Sequence, residues 1–229
     1  MSEQINIREL RACGRNFLRL AVSFIILSLF VAILSPCAGG SALFHFTNIT
    51  DKSLALFEGA RPVFVYNHGV IHQAGVPTDR ARSTYVHPLY GLDGEVLTDD
   101  FPRDHFHHRG LFWAWPHVRI GDKHYDLWML KGIEQRFERW LSLKAGNDDA
   151  TLGVQNGWFV GQRRVLQEEV WLRATRSSEN ERVLDIALTL LPIGEALTLP
   201  GRGGKELRRI DPALCATHQH RDHHTARPG

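Results

Sequence analysis

The chain has 229 residues with a hydrophobic content of 43% and a charged content of 23%, which is ordinary for one good-sized globular domain. Its formal net charge is +2, and its basic residues are scattered among acidic ones. This distribution argues against a nucleic-acid-binding protein. The cysteines, Cys13, Cys37 and Cys215, form no CxxC motif, which argues against a disulfide framework and a cysteine-built zinc site.

The first 42 residues have the pattern of an export signal. A basic segment with four arginines precedes the uncharged run Leu20–Leu34, and small residues follow. The run is shorter than the roughly twenty residues of a membrane-spanning helix. We therefore expect a cleaved signal peptide over residues 1–42 and an extracytoplasmic domain from about Leu43. The alternatives are an uncleaved anchor, which would be the chain's one membrane contact, and a lipoprotein box at Leu34–Cys37.

The middle of the chain, residues 43–204, is predicted to be β structure. It carries short β-branched and apolar runs and no long amphipathic helix. Gly146–Asp149 and Asn156-Gly157 are turn signals between such runs. Short strands separated by turns favour antiparallel pairing. We predict an all-β antiparallel β-sandwich, with a barrel as the alternative, and strands near 61–66, 83–88, 111–115, 137–143, 150–154, 165–172 and 182–190.

Alternation assigns faces to some of these strands. From Leu184 to Leu190, every second position is leucine or isoleucine, which predicts one core-facing side. In the strand near 137–143, Phe137, Leu141 and Leu143 are predicted on one face and Trp140 on the other. Glu168 and Glu169 are predicted on a solvated face, although either could reach in as a general base.

The segment Phe101–Gly110, the histidine-rich loop, is the candidate functional site. It packs three histidines, one aspartate and two arginines between Pro102 and Gly110, and the apolar run Leu111–Trp115 follows at once. Titratable groups crowded beside a core-forming run are costly unless they are paired or used.

Acid–base catalysis is the first chemistry that these residues suggest. Histidine exchanges protons near neutral pH, and a neighbouring carboxylate can orient its ring. His105, His107 and His108 are the candidate proton-transfer groups, and Asp104 is the candidate orienting group. Arg109 is predicted to hold a carboxylate or a developing oxyanion.

Substrate contacts are predicted at His87, Trp113 and Trp115. His87 precedes a proline at a strand end and could line the same pocket. The two tryptophans could offer a stacking face to a sugar, and the competing interpretation is that they belong to the core.

Two other interpretations of the loop stay open. Histidine and aspartate are ligands for zinc, copper or non-haem iron, and His105 and His107 are the metal-ligand pair, with His87 or His124 added from other strands. Alternatively, the loop is a buried hydrogen-bond network. The sequence identifies no cofactor.

The residues around the loop resemble those of a known family. The match is carried by Tyr85-Val-His-Pro-Leu-Tyr90, Gly94, Leu97-Thr98, Asp100, Pro102 and Asp104-His-Phe-His-His-Arg-Gly110. They are similar to bacterial, largely secreted proteins labelled methane oxygenase PmoA-like, over residues 54–205. The label fits poorly, because the genuine subunit of that name is a polytopic membrane protein and this chain has one apolar segment.

The resemblance implies a sandwich similar to the galactose-mutarotase supersandwich, in proteins that accompany sugar-processing enzymes. We therefore expect a secreted carbohydrate-active protein whose histidine-rich loop acts as acid and base on a sugar. A non-catalytic sugar-binding or interaction protein is the alternative, and a metal-dependent oxidoreductase, as the label suggests, is a third.

The C-terminal segment, residues 205–229, differs from the rest. Alternation stops after Gly204, and the final residues are rich in histidine and arginine. We predict a disordered tail produced by a frameshift near Lys205, whose histidines are not ligands. The sandwich would then be truncated and would expose a strand edge.

Overall fold

The computed structural model describes residues 42–200 and the backbone of a strand at 206–210. Over these ranges the chain forms twelve β-strands in three four-stranded antiparallel sheets, with one 3-10 turn at Thr78–Arg80. The predicted all-β sandwich is confirmed, and its finer assignment to a mutarotase-like supersandwich stays a prediction. No helix in the described ranges is long and apolar enough to cross a bilayer. The predicted export segment lies outside those ranges.

The strands follow one another mostly through hairpins. The first sheet has the order β1-β2-β3-β4, the second β10-β9-β8-β7, and the third β12-β11-β5-β6. In chain order the strands are β1 (Phe44–Thr50), β2 (Ser53–Glu58), β3 (Arg61–Asn67), β4 (Tyr85–Leu89), β5 (Val118–Ile120), β6 (Lys123–Tyr125), β7 (Glu134–Ala145), β8 (Asp149–Val160), β9 (Arg163–Thr175), β10 (Leu184–Pro192), β11 (Leu197–Pro200) and β12 (Glu206–Ile210).

Two apolar clusters hold the sheets together. The first lies between the first and second sheets, where side chains such as Phe64 and Tyr66 meet Val154 and Leu172. The second lies between the third sheet and the other end of the second sheet, around Trp158. Both clusters draw on β8 and β9. Each fully buried large apolar side chain contributes roughly 1.5–3 kcal/mol, so this shared sheet organises the domain.

The strand at Leu184–Pro192 confirms the periodicity argument. Its four alternate leucine and isoleucine side chains pack against the two clusters. The strand near 137–143 does not follow strict alternation. Phe137 and Trp140 both pack against the first cluster, because β-bulges between residues 137 and 139 and between 140 and 142 change which side faces inward.

Two local predictions were wrong. Asn156-Gly157 is not a turn but the middle of β8, where Gly157 pairs with Arg136 on one side and Gln167 on the other. A Cβ on Gly157 would meet the Phe159 ring at 2.5 Å, so a close approach and not a turn explains this glycine. The run Leu111–Trp115 forms only an isolated bridge, between Leu111 and Val86.

The last described strand lies within the segment for which the sequence predicts no β structure. Glu206–Ile210 pairs antiparallel with β11, and Leu197 is opposite Ile210. β character therefore continues past Lys205 for at least these residues. Residues 211–229, with the tail histidines, lie outside the described part of the chain.

Candidate functional site

The histidine-rich loop leaves the first sheet and returns to it, and its two ends are bridged to each other. It begins and ends at the bridge between Asp100 and Arg109, and the Gly110 amide donates to the Asp99 carbonyl at 2.7 Å. Leu111 and Val86 then exchange two backbone hydrogen bonds of 2.8 and 3.0 Å. The loop is therefore fastened to β4 at its base.

Gly110 sets how closely the loop approaches β4. Its φ is +40°, and a Cβ there would lie 2.1 Å from the Val86 carbonyl oxygen and 2.7 Å from the His87 Cβ. Only glycine lacks the atom that would clash. The small residue at the end of the motif is thus explained by packing.

Arg109 anchors the loop from inside the domain. Its side chain is 0% exposed, and its Nε donates to Asp100 at 2.5 Å. Its other nitrogens donate to the Tyr85 hydroxyl and the Arg80 carbonyl, and its guanidinium stacks 3.5 Å from the Phe101 ring centroid. A buried group with these partners cannot contact a ligand in this conformation. Arg109 was predicted to hold a carboxylate or a developing oxyanion, and in the structure it holds the Asp100 carboxylate and positions the loop.

The three histidines lie together on the loop, with His105 exposed and His107 and His108 half-buried. The His105 and His108 rings are stacked at 4.7 Å, and the His107 ring lies 4.5 Å from His108 and 5.6 Å from His105. His105 Nδ1 lies 2.9 Å from Asp104 Oδ2, and these two side chains are 50% and 78% exposed. The structure thus brings together Asp104 and all three predicted imidazoles, at the surface.

Trp128 completes this cluster, and no pattern in the sequence points to it. Its ring centroid lies 5.9 Å from His107, 5.5 Å from His108 and 5.2 Å from Phe112. Trp128 follows β6 and belongs to no motif, so only its tertiary placement reveals it. The indole gives the histidine cluster an aromatic wall.

The three residues predicted to contact substrate, His87, Trp113 and Trp115, are engaged in contacts within the domain. His87 is half-buried, and its Nδ1 lies 3.0 Å from the Thr98 hydroxyl. Trp113 packs against the first apolar cluster, and Trp115 packs against Trp158 at 5.6 Å in the second. The structure therefore favours the core interpretation for both tryptophans over the sugar-stacking one.

The metal interpretation finds no complete ligand set in the described residues. Across residues 42–200, no three His, Cys, Asp or Glu side chains are arranged to hold a metal ion. The proposed pair, His105 and His107, meets edge to face at 5.6 Å.

Glu168 is buried, so its predicted solvated placement was wrong. It is 0% exposed and accepts hydrogen bonds from Gln135 at 2.9 Å, Asn156 at 2.8 Å and the Trp158 indole at 2.8 Å. Burial, together with the nearby Glu168 charge, raises the pKa of Tyr66. Side-chain amides and an indole satisfy this carboxylate, which explains how a glutamate can lie between the two apolar clusters.

The pKa values of three histidines are lowered from their ordinary value of 6.5. Burial is the main cause for His68, His87 and His107. For His107, the positive charges of His108 and His105 lower the pKa further. At the surface, the His105 hydrogen bond lowers the pKa of Asp104.

These shifts predict acid-sensitive stability. Because the folded pKa values of His68, His87 and His107 lie below 6.5, the unfolded chain binds more protons in mildly acidic solution. We expect the free energy of unfolding to decrease as pH falls below about 6.5. Urea unfolding between pH 7.5 and 5 measures this, and the His68→Gln variant should show a shallower slope. A free energy of unfolding that rises on acidification in this window would contradict the assignment. The lowered pKa of Asp104 acts only at lower pH.

A protein-family model matches residues 54–208, and it is described as a family of unknown function. The match covers more than half of the chain and contains the whole histidine-rich loop. No curated protein and no solved structure matches the chain.

Proposed function

This chain belongs to the DUF6807 family of unknown function, and on that premise we propose that its histidine-rich loop performs acid–base chemistry on a sugar outside the cytoplasm. The observation that carries the proposal is the contact of 2.9 Å between Asp104 and His105 Nδ1, at an exposed position beside two further imidazoles. The sugar and the extracytoplasmic location come from the sequence resemblance and the predicted export signal.

The Asp104–His105 pair supports a defined proton-transfer role. A carboxylate at Nδ1 selects the tautomer with hydrogen on Nδ1, which leaves the Nε2 lone pair of His105 free to accept a proton. His108, stacked 4.7 Å away, supplies a second imidazole that can donate one. Such a pair suits the opening of a cyclic sugar. His105 takes the proton of the anomeric hydroxyl, the bond from C1 to the ring oxygen breaks, and His108 protonates that oxygen.

Trp128 supports the sugar assignment. Its indole borders His107 and His108 and provides an apolar face beside the proton-transfer groups. Sugars present CH groups on one face that pack against aromatic rings, and the hydroxyl groups then point toward polar side chains. The buried Arg109 and the close contact at Gly110 hold the loop so that its histidines stay beside the Trp128 ring.

Replacement of His105 or His108 with glutamine is expected to abolish activity while the fold survives. Because His105 is exposed and His108 is half-buried beside other exposed or half-buried rings, each change should shift the free energy of unfolding by no more than about 1 kcal/mol. Loss of a proton-transfer group should reduce turnover by about 10²–10⁴-fold. The measurement is polarimetry of freshly dissolved α-D-glucose and α-D-galactose, followed by NMR of a wider panel of aldoses.

His72→Gln is the matched control, because His72 is an exposed histidine outside the loop. Turnover that persists unchanged in the His105, His107 and His108 variants would defeat the proposal. Unfolding of all three variants would instead support the buried-network interpretation, since an unsatisfied partner costs roughly 1–3 kcal/mol.

A non-catalytic sugar-binding protein is the second candidate, and one observation favours it. Asp104 and His105 are 78% and 50% exposed, whereas catalytic groups are commonly enclosed where water is excluded. Saturable sugar binding that depends on His105 and Trp128, without turnover of any aldose in the panel, would select this candidate.

A further inference from the structure

A narrow crevice opens beside the histidine cluster. Its walls include Arg80, Arg82, His107 and Trp128, with Asp79 also lining it. The interior is too narrow for a water molecule, so a ligand would meet it at its mouth. The crevice shares His107 and Trp128 with the candidate site, which makes it a candidate extension of that site.

Arg82 places a fixed positive charge in the crevice wall. Its side chain is 3% exposed, and it donates to the Leu127 and Trp128 carbonyls at 2.5 and 3.0 Å and to the Gln135 amide oxygen at 3.4 Å. These direct acceptors are neutral oxygens, although the charges of Glu168 and Asp126 also act on the guanidinium. Burial and the nearby Arg109 charge lower the pKa of Arg82 to about 10, which leaves it charged at neutral pH.

Arg80 contributes a second and more accessible positive charge. Its side chain is 24% exposed, and it donates to the Met129 carbonyl at 3.2 Å. Its carboxylate partner is Asp79, at 3.4 Å, and Asp79 is 68% exposed. A long contact to an exposed carboxylate contributes little, so an incoming anion can replace Asp79 at small cost.

His107, which also lines the crevice, responds to the charges around it. After burial, the groups that lower its pKa are the positive charges of His108, His105, Arg80 and Arg82. The one carboxylate that lines the crevice is the exposed Asp79. Next to His107, the positive charges of Arg80 and Arg82 therefore outweigh the negative ones.

We propose that the sugar handled at this site carries an anionic group, which binds at the mouth of the crevice between Arg80 and His107 while the ring lies against Trp128. This inference rests on the proposed function, since it names the substrate class of that site. The shared chemistry is a carboxylate, sulfate or phosphate on a sugar ring. Arginine recognises all three through charge-assisted hydrogen bonds.

Calorimetric titration of the full chain tests the inference with D-glucuronate, D-glucose 6-sulfate, D-glucose 6-phosphate, D-glucose and acetate. We expect at least one anionic sugar to bind roughly tenfold or more tightly than glucose and acetate. Arg80→Gln should remove this advantage. Arg163→Gln is the matched control, because Arg163 also forms an exposed ion pair, with Glu195 at 3.0 Å, away from the crevice. It should retain the advantage.

The order of affinities among the three anionic sugars identifies the anionic group. Equal affinity for glucose and all three anionic sugars would overturn the inference, as would acetate binding as tightly as the anionic sugars or an advantage that survives Arg80→Gln. If glucose is bound or turned over in a His105-dependent way without any anionic preference, the proposed function stands and this inference fails. If no sugar of either kind binds, both fail.

NMR titration of the His107 ring gives an independent readout. A bound anion should raise the pKa of His107, because it offsets the positive charges that lower that pKa. The shift should appear with the anionic sugar and not with glucose. An unchanged His107 pKa at saturating anionic sugar would overturn the placement of the anion in the crevice.

Discussion

Replacing Gly110 with alanine is expected to lower the free energy of unfolding by about 2–5 kcal/mol. Two costs add. The φ of +40° is strained for any residue with a Cβ, and that Cβ would lie 2.1 Å from the Val86 carbonyl oxygen. Backbone atoms cannot move aside like the end of a flexible side chain, so either the loop must detach from β4 or the strand must shift. Urea unfolding followed by tryptophan fluorescence gives the number.

Gly161→Ala is the matched control for this prediction. Gly161 has a φ of +61°, and a Cβ there would find open space. It should therefore show only the conformational cost, about 1–2 kcal/mol. Equal losses in the two variants would mean that the close approach to Val86 does not hold the loop. If Gly110→Ala is the more damaging and also impairs sugar turnover, the contact both stabilises the domain and positions the histidines.

Removing the Arg109 side chain is expected to be comparably damaging. Arg109→Leu leaves Asp100, which is only 13% exposed, without its charged partner, and it also removes donors to Tyr85 and the Arg80 carbonyl. Breaking a buried ion pair from one side costs about 3–5 kcal/mol. Arg109→Lys should also destabilise the domain, because one ammonium cannot reproduce the planar fork that serves these separate acceptors. Thermal and urea unfolding measure both variants.

Two comparisons separate this anchoring role from a simple loss of charge. The double variant Arg109→Leu/Asp100→Leu should recover part of the lost stability, since it removes the unpaired carboxylate as well. Arg163→Gln breaks an ion pair whose partners are each 54% exposed and should cost less than about 1 kcal/mol. A stable Arg109→Leu protein that has lost only sugar binding would contradict the anchoring role and restore Arg109 as a ligand contact.

Periodic positions were predictable because neighbours in sequence decide them. The alternation from Leu184 onward reflects the two-residue repeat of a strand, which any sheet pairing preserves. The crowding of Asp104 and the histidines within a few residues likewise makes their proximity almost independent of the fold. Residue spacing alone was therefore enough to predict the strand, the all-β class and the grouping of Asp104 with the histidines.

The failures occurred where distant segments decide the outcome. Gly157 has the composition of a turn, but it lies in the middle of a sheet, paired with Arg136 of β7 and Gln167 of β9. Glu168 has the composition of a solvated face, but donors from β7 and β8 allow its burial. Trp140 faces the same side as Phe137 because β-bulges interrupt the alternation, and the sequence pattern does not predict these bulges.

The sequence by itself determined the all-β class, the strand periodicity and the position of the histidine-rich loop, because these depend on residue spacing along the chain. Only the tertiary structure decided which of the loop's groups are accessible. It buried Arg109 among Asp100, Tyr85 and Phe101, and it packed Trp113 and Trp115 against the two apolar clusters. It also brought Trp128 and the Arg80–Arg82 crevice to the histidines. Burial and long-range charge are properties of packed surfaces, and the packing of separate segments cannot be read from the spacing within one of them.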